Sequence, residues 1–370
     1  MSIGLYIHVP FCVSKCPYCD FYSGPSSEEG MDRYVEAVRR SLEEWGERLQ
    51  ESADTLYFGG GTPSLLGGRR LSLIMERAAE TFGLEKAEIT LEANPADDLA
   101  QTLQAFVSSG GNRLSLGMQS ADEGELRWLG RRHTPQQTAA AVRTARAAGI
   151  RNLSLDLMLG LEGQTTASVE RSIAVCKELE ADHLSAYLLK IEPGTPFGRQ
   201  RQALRLPDED ESAELYLTAC EALEKQGYVQ YEISNFARPG RESRHNLKYW
   251  LGSPYLGIGP AAHSFLNGQR FSYLPDLEAF LAGGSPVPED ADERLPSGGE
   301  EETLMLRLRL RAGLDAEDFR RRFGHTLPEK WYRRASSLPE NLIICDEGGI
   351  RLTREGFLLS SAVIRYLLDL

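Results

Sequence analysis

The sequence predicts an α/β protein: a partial (β/α)6 barrel of the TIM type followed by a small winged-helix-like domain. Strand-like and helix-like periodicities alternate six times between Ile3 and Lys190, and such alternation implies a parallel sheet with right-handed crossovers. Cys12, Gly60, Glu92, Gln119, Asp156 and Lys190 fall at or just beyond the C-terminal ends of the predicted strands. A curved sheet gathers those ends at one face, where barrels assemble their sites from several strands. The proline, glycine and acid-rich stretch from Pro286 to Gly299 reads as a linker to the second domain. The expected segments are 1–205, 206–290 and 291–370.

Each element has a local reason. Ile3 to Val9 is β-branched and aromatic and stops at Pro10, so it predicts a strand that delivers the chain to Cys12. Helical periodicity follows from Met31 to Leu49, then a short apolar strand, Thr55 to Phe58, that ends in Gly59-Gly60-Gly61-Thr62-Pro63. The alternation continues with helix Arg69 to Thr81, strand Ile89 to Ala93, helix Leu99 to Ser108 and strand Arg113 to Met118. Two helical stretches, the later from Thr134 to Ala148, precede strand Asn152 to Leu159, helix Ser168 to Leu179 and strand His183 to Lys190. From Pro207 a helix to Gln226, a strand-like Val229 to Ser234 and a Gly/Pro-rich stretch through His263 predict a connecting or lid region. Beyond the linker, helices Glu301 to Leu310 and Asp315 to Phe323, the apolar Leu342 to Cys345, the turn Glu347-Gly348-Gly349 and a final helix predict the winged-helix-like unit.

Composition narrows the function classes. With 41% hydrophobic and 26% charged residues the chain is folded rather than disordered. A formal charge of −13 argues against broad affinity for nucleic acid or anionic membrane. No apolar run reaches the roughly 18 residues of a membrane span, and Met1 to Cys12 lacks a cationic n-region. The expectation is a cytoplasmic protein. Between Thr303 and Ser336 nine basic residues face four acidic ones, but they alternate with leucines as solvated helix faces do, so no nucleic acid partner is expected.

Three of the six cysteines, Cys12, Cys16 and Cys19, lie within eight residues as CxxxCxxC, whereas Cys176, Cys220 and Cys345 are isolated. A structural zinc site would want a fourth ligand nearby, for which only His8 offers itself. A [4Fe-4S] cluster held by three thiolates instead leaves one iron open to a further ligand. The glycine run permits close backbone approach to a charged ligand, or it is a plain tight turn. No GxxxxGK[ST] phosphate loop occurs. Gly257-Ile258-Gly259-Pro260-Ala261-Ala262 matches a dinucleotide fingerprint in letters only, since no βα unit with a placed acid follows. It reads as a close-packed turn.

The stretch His8-Val9-Pro10-Phe11-Cys12-Val13-Ser14-Lys15-Cys16-Pro17-Tyr18-Cys19-Asp20-Phe21 resembles the cluster loop of the radical S-adenosylmethionine (SAM) superfamily. Tyr6-Ile7-His8, Gly59 to Pro63, Gly117-Met118-Gln119-Ser120, Asp156 to Gly160 and the C-terminal unit are similar to the oxygen-independent coproporphyrinogen III oxidase family, over essentially the whole chain. The resemblance implies a [4Fe-4S] cluster on Cys12, Cys16 and Cys19, with SAM chelating the open iron. It also implies that Gly60, Gly61 and Thr62 line the SAM methionine, that Glu92 holds a ribose hydroxyl or amine, and that Tyr6 lies beside the cofactor. Gln119, Arg131, Asp156 and Lys190, with Tyr18, match positions around a second SAM; Arg131 and Arg132 are adjacent, so either fits that register.

The oxidases of this family carry a further cysteine two residues after the triplet and additional sequence before the first strand. Here Phe21 occupies that position and five residues precede Tyr6, features that resemble the heme chaperone branch. His245-Asn246-Leu247-Lys248-Tyr249-Trp250 is similar to the HNxxYW motif associated with heme binding in that branch. A neutral imidazole can ligate heme iron, and Tyr249 and Trp250 offer flat apolar surface; the alternative is an ordinary hydrogen-bonded histidine. The resemblance therefore implies heme as ligand, a heme-accepting protein at a respiratory membrane, and an electron donor. The alternative activity is oxidative decarboxylation of coproporphyrinogen III.

Overall fold

The computed structural model describes residues 2–289 and 295–370. Six parallel strands, β1 (Ile3–Val9), β2 (Ala53–Gly60), β3 (Glu88–Ala93), β4 (Arg113–Gln119), β5 (Asn152–Leu159) and β6 (His183–Leu188), lie side by side in chain order. A doubly wound sheet would reverse that order at a switch point, so one-way winding makes this the expected partial barrel. The connecting helices are α1 (Glu28–Leu49), α2 (Gly67–Phe82), α3 (Ala100–Ser108), α4 (Glu123–Trp128), α5 (Pro135–Ala148) and α6 (Thr166–Glu178). Local chemistry starts them. The Ser27 side chain accepts from Gly30 N ahead of Glu28 and Glu29, and α5 opens on Pro135 behind a Thr134/Gln137 capping box.

The strands alternate with period two in a way that builds the site. Leu56 and Phe58, Leu114 and Leu116, and Leu155 and Leu157 are buried in the hydrophobic core. The intervening residues Tyr57, Arg113, Ser115, Gly117, Gln119 and Asp156 instead line a cavity. An apolar side chain buried against the helices contributes roughly 1.5–3 kcal/mol; the polar row makes no such contribution and marks the interior.

The region after β6, expected as a connecting or lid segment, contributes strands. After α7 (Pro196–Arg199) and α8 (Glu209–Lys225) the chain extends the sheet at both edges. Strands β7 (Val229–Gln230) and β8 (Asn235–Ala237) add antiparallel beside β6. Helix α9 (Arg244–Leu251) crosses back, and β9 (Tyr255–Ile258) pairs parallel with β1, followed by β10 (His263–Leu266), β11 (Gln269–Ser272), α10 (Leu277–Leu281) and β12 (Val287–Pro288). Helix α9 lies inside a Gly/Pro-rich composition that hides it, and two-residue strands carry no periodicity to detect. Gly259 has φ +117°, and a Cβ there would stand 2.5 Å from His8 O, so the fingerprint-like sequence is indeed a close-packed turn.

The C-terminal unit comprises α11 (Glu300–Arg307), β13 (Leu314–Asp315), α12 (Ala316–Phe323), α13 (Glu329–Ala335), β14 (Ile343–Asp346), β15 (Gly349–Leu352), α14 (Arg354–Leu358) and α15 (Ser360–Leu368). Its three strands form an antiparallel sheet in the order β13-β15-β14, and Phe319, Trp331 and Phe357 are buried in its core. Backbone bonds dock it on the barrel side: Ile233 N donates to Arg309 O at 2.9 Å and Arg311 N to Tyr231 O at 3.0 Å. Several of its bases are paired within the chain, as in Arg307–Asp318, Lys330–Glu301 and Arg334–Asp369. The sequence-expected boundary between 290 and 291 lies outside the described residues. No helix among the described residues is long and apolar enough to cross a membrane.

Candidate functional site

The cysteine loop hangs from the C-terminal end of β1 and is pinned at its base: Cys12 N donates to Gly24 O and Gly24 N to Pro10 O, both at 2.9 Å. The glycine run at the end of β2 is stitched to the same loop. Gly61 N donates to Val9 O at 2.8 Å and Thr62 N to Phe11 O at 2.7 Å, while Thr62 Oγ1 stands 3.5 Å from Cys12 Sγ. A Cβ on Gly61 would lie 2.5 Å from Phe11 O and 2.9 Å from Val9 O. Glycine at this position is therefore required by the chain's own approach to itself. Gly60, at φ +107°, would put a Cβ 2.6 Å from the His8 ring.

All three half-buried cysteines line a cavity of about 370 Å³ at the strand ends, together with Tyr18, Gly60, Gly61, Thr62, Glu92, Gln119, Arg131 and Asp156. These positions are scattered over the first 156 residues of the chain. They converge because several strands end at one level, which the one-way winding enforces. Tyr6, Lys190 and His245, also named from the sequence, stand outside this lining.

Arg131 settles the register left open by its neighbour. Its Nη2 donates to Gly117 O at 2.9 Å and its Nη1 stands 3.5 Å from Cys16 Sγ. Arg132 turns away to Asp97 at 3.1 Å. Tyr18 packs with Leu129, Met158 and Leu161, and burial pushes its hydroxyl pKa up against the opposing Arg131 charge. Gln119 is held at φ +66° beside a register shift between β4 and β5, a strained conformation for a side-chain-bearing residue at a site.

Two carboxylates face the cavity. Burial pushes Glu92 up to about 7, helped by Asp156 and opposed by the Tyr57 hydrogen bond, the Gly60 N–H and Arg113. The Tyr57 hydroxyl donates to Glu92 Oε1 at 2.7 Å. Burial also raises Asp156, against hydrogen bonds from Ser185 and Ser115, the latter at 3.2 Å. Such carboxylates answer to donors or a cation on a bound ligand.

Three of the expected site residues stand apart from this lining. Strand β6 ends at Leu188, so Lys190 lies beyond it, 83% exposed and paired with Glu192 at 2.6 Å. Tyr6 lines an adjoining cavity of about 330 Å³ with His245, Tyr249, Trp250 and Glu232; the two cavities share Tyr57, Glu92, Tyr187 and Asn246. His245 is not presented as an open ligand. It is buried, with Nδ1 2.8 Å from Thr55 Oγ1 and Nε2 2.8 Å from Tyr249 OH, so both ring nitrogens are engaged within the chain.

Sequence reasoning passed over Arg113 and Tyr57. Arg113 is 1% exposed, lines the first cavity and leaves Nε without a partner among the described residues. The signal was present, since Arg113, Ser115, Gly117 and Gln119 alternate with Leu114, Leu116 and Met118.

The residues fit an iron-sulfur cluster with SAM beside it. Three thiols on one pinned loop open on a cavity that is also lined by Arg113 and Arg131, each with an unpartnered Nε among the described residues, and by two buried carboxylates. The zinc alternative lacks its fourth ligand: His8 Nε2 donates to Tyr22 O at 2.9 Å and Nδ1 accepts from Tyr6 OH at 3.1 Å.

Comparison with known proteins gives the family and the fold. The radical SAM superfamily matches residues 6–176 and the HemN C-terminal domain residues 301–359. The chain is 35% identical over 370 residues to the heme chaperone HemW of Lactococcus lactis, covering 98% of this chain and 97% of that protein. It is 40% identical over 264 residues to the heme chaperone HemW of Escherichia coli, covering 70% and 69%. In structure it matches the coproporphyrinogen III oxidase HemN of Escherichia coli with TM-score 0.83 at 23% identity, covering 99% of this chain and 90% of that one.

Proposed function

Because this chain belongs to the HemW heme chaperone family within the radical SAM superfamily, we propose that it binds heme and passes it to a haemoprotein of the respiratory membrane. The observation that carries the reading is the end-to-end similarity to proteins named for that role. Phe21 supports it: 64% exposed, it lines the mouth of the cavity at the position where the oxidases carry their further cysteine. The second reading, oxidative decarboxylation of coproporphyrinogen III, rests on the fold shared with the oxidase.

Cys12, Cys16 and Cys19 would hold a [4Fe-4S] cluster, which supplies one electron to SAM when a donor protein has reduced it. Gly60, Gly61 and Thr62 would line the SAM methionine and Glu92 would accept from its ribose or amine. Gln119, Arg131 and Asp156, with Tyr18, would border a second ligand, and Arg131 would balance negative charge on the cluster side. These roles fall to residues 1–205, while β7 to β12 extend the sheet at its two edges and Glu232 bridges to Leu310 of the C-terminal unit.

The test supplies coproporphyrinogen III, SAM and a low-potential reductant without oxygen, and in parallel titrates heme and offers the loaded protein to an apo-haemoprotein. Stoichiometric heme uptake and transfer without protoporphyrinogen IX is the expected result. Multiple turnover to protoporphyrinogen IX would overturn it in favour of the oxidase.

A further inference from the structure

The side chain of His245 belongs to a chain of contacts that ends on the proposed SAM site. Thr55 Oγ1 and Tyr249 OH hold its two nitrogens, each at 2.8 Å. Burial and the nearby Lys248 and Arg113 charges push its pKa down to about 3, so the ring is neutral. Its face lies against Tyr57, with ring centroids 5.1 Å apart and planes 23° from parallel. Tyr6 completes the cluster, 6.2 Å from Tyr57 and 6.3 Å from His245. A Cβ on Gly4 would stand 3.3 Å from His245 Cε1, so β1 closes on the edge of the ring. Tyr57 in turn donates to Glu92 at 2.7 Å.

We propose that His245 is a positioning residue for the SAM site: by fixing the Tyr57 ring it aims the Tyr57 hydroxyl at Glu92 and so sets the carboxylate that receives SAM. This rests on the assignment of Glu92 above. A tyrosine ring has two torsions to fix, and an anchored flat partner on its face fixes them without competing for the hydroxyl. The HNxxYW segment then lines the second cavity and reaches the first through Asn246, and heme ligation at His245 would displace one of its two hydrogen-bond partners.

The experiment uses full-length, cluster-loaded protein under anaerobic conditions, with SAM affinity by calorimetry and heme affinity by absorbance. His245→Ala should weaken SAM binding about tenfold, and His245→Phe, which keeps the flat face, should stay within about threefold of wild type. Tyr57→Phe should weaken SAM binding too, and His245→Ala should add less than about twofold in that background, since contacting residues that act through one another are not additive. Heme affinity should be unchanged throughout. Wild-type SAM affinity in His245→Ala, full additivity with Tyr57→Phe, or loss of heme with SAM binding intact overturns the inference alone. A wild-type protein that takes up no SAM overturns the parent assignment and this inference with it. Should His245→Ala fail to fold, His245→Phe and Tyr57→Phe carry the test, because equal losses in both singles and a doubled loss together would again overturn it.

Discussion

The Phe11 carbonyl oxygen stands 2.5 Å from the place a Cβ on Gly61 would occupy. The glycine run and the cysteine loop are thus one packed unit, joined by Gly61 N to Val9 O and Thr62 N to Phe11 O. Gly61→Ala should therefore lower iron content as well as SAM affinity, because backbone carbonyls cannot swing aside as a flexible side chain can. Iron analysis and calorimetry on the variant check this; full iron occupancy with weakened SAM binding would return the glycine to a role toward ligand alone.

Anaerobic reconstitution with iron and sulfide should give about four irons per chain with broad absorbance near ~400 nm. Ala at Cys12, Cys16 or Cys19 should abolish both together. Ala at the buried Cys176 or Cys220 should leave them intact. Stoichiometric zinc without iron uptake would count against the cluster.

Glu92 makes the ligand-free protein sensitive to pH. An unfolded glutamate titrates near ~4.3, whereas burial holds Glu92 at about 7 in the fold. The folded state therefore keeps a proton that the unfolded state has lost, and stability falls as pH rises through that window. Glu232, also pushed to about 7 by burial, adds to the same fall. Glu92→Gln should be more stable than wild type at pH ~8 by about 1–3 kcal/mol and match it near pH ~4, as read from denaturant midpoints. Equal midpoints at both pH values would contradict the buried carboxylate.

Lys190→Ala should leave SAM affinity within about twofold of wild type, since an exposed ion pair such as Lys190–Glu192 contributes little. Arg131→Met should weaken SAM binding and alter the cluster's potential, through loss of the charge beside Cys16. A tenfold loss at Lys190 would show that the loop after β6 folds over the ligand.

The sequence by itself determined the order of strands and helices through β6, the cysteine triplet and its place at a strand end, because period, breaker residues and close spacing are local properties. Asp156 was legible as a carboxylate in an otherwise apolar strand, whereas Glu92 stood out only by its place at a strand end after the glycine run and by the family resemblance. Only the tertiary structure decided which neighbour faces inward. Arg131 rather than Arg132 reaches Cys16, and Lys190 stands exposed outside the cavity lining because β6 stops two residues earlier. Arg113 enters the cavity through strand alternation. His245 is enclosed by Thr55, some 190 positions away in the chain, and no local pattern can report whether a ring nitrogen is already engaged by a partner so distant in sequence.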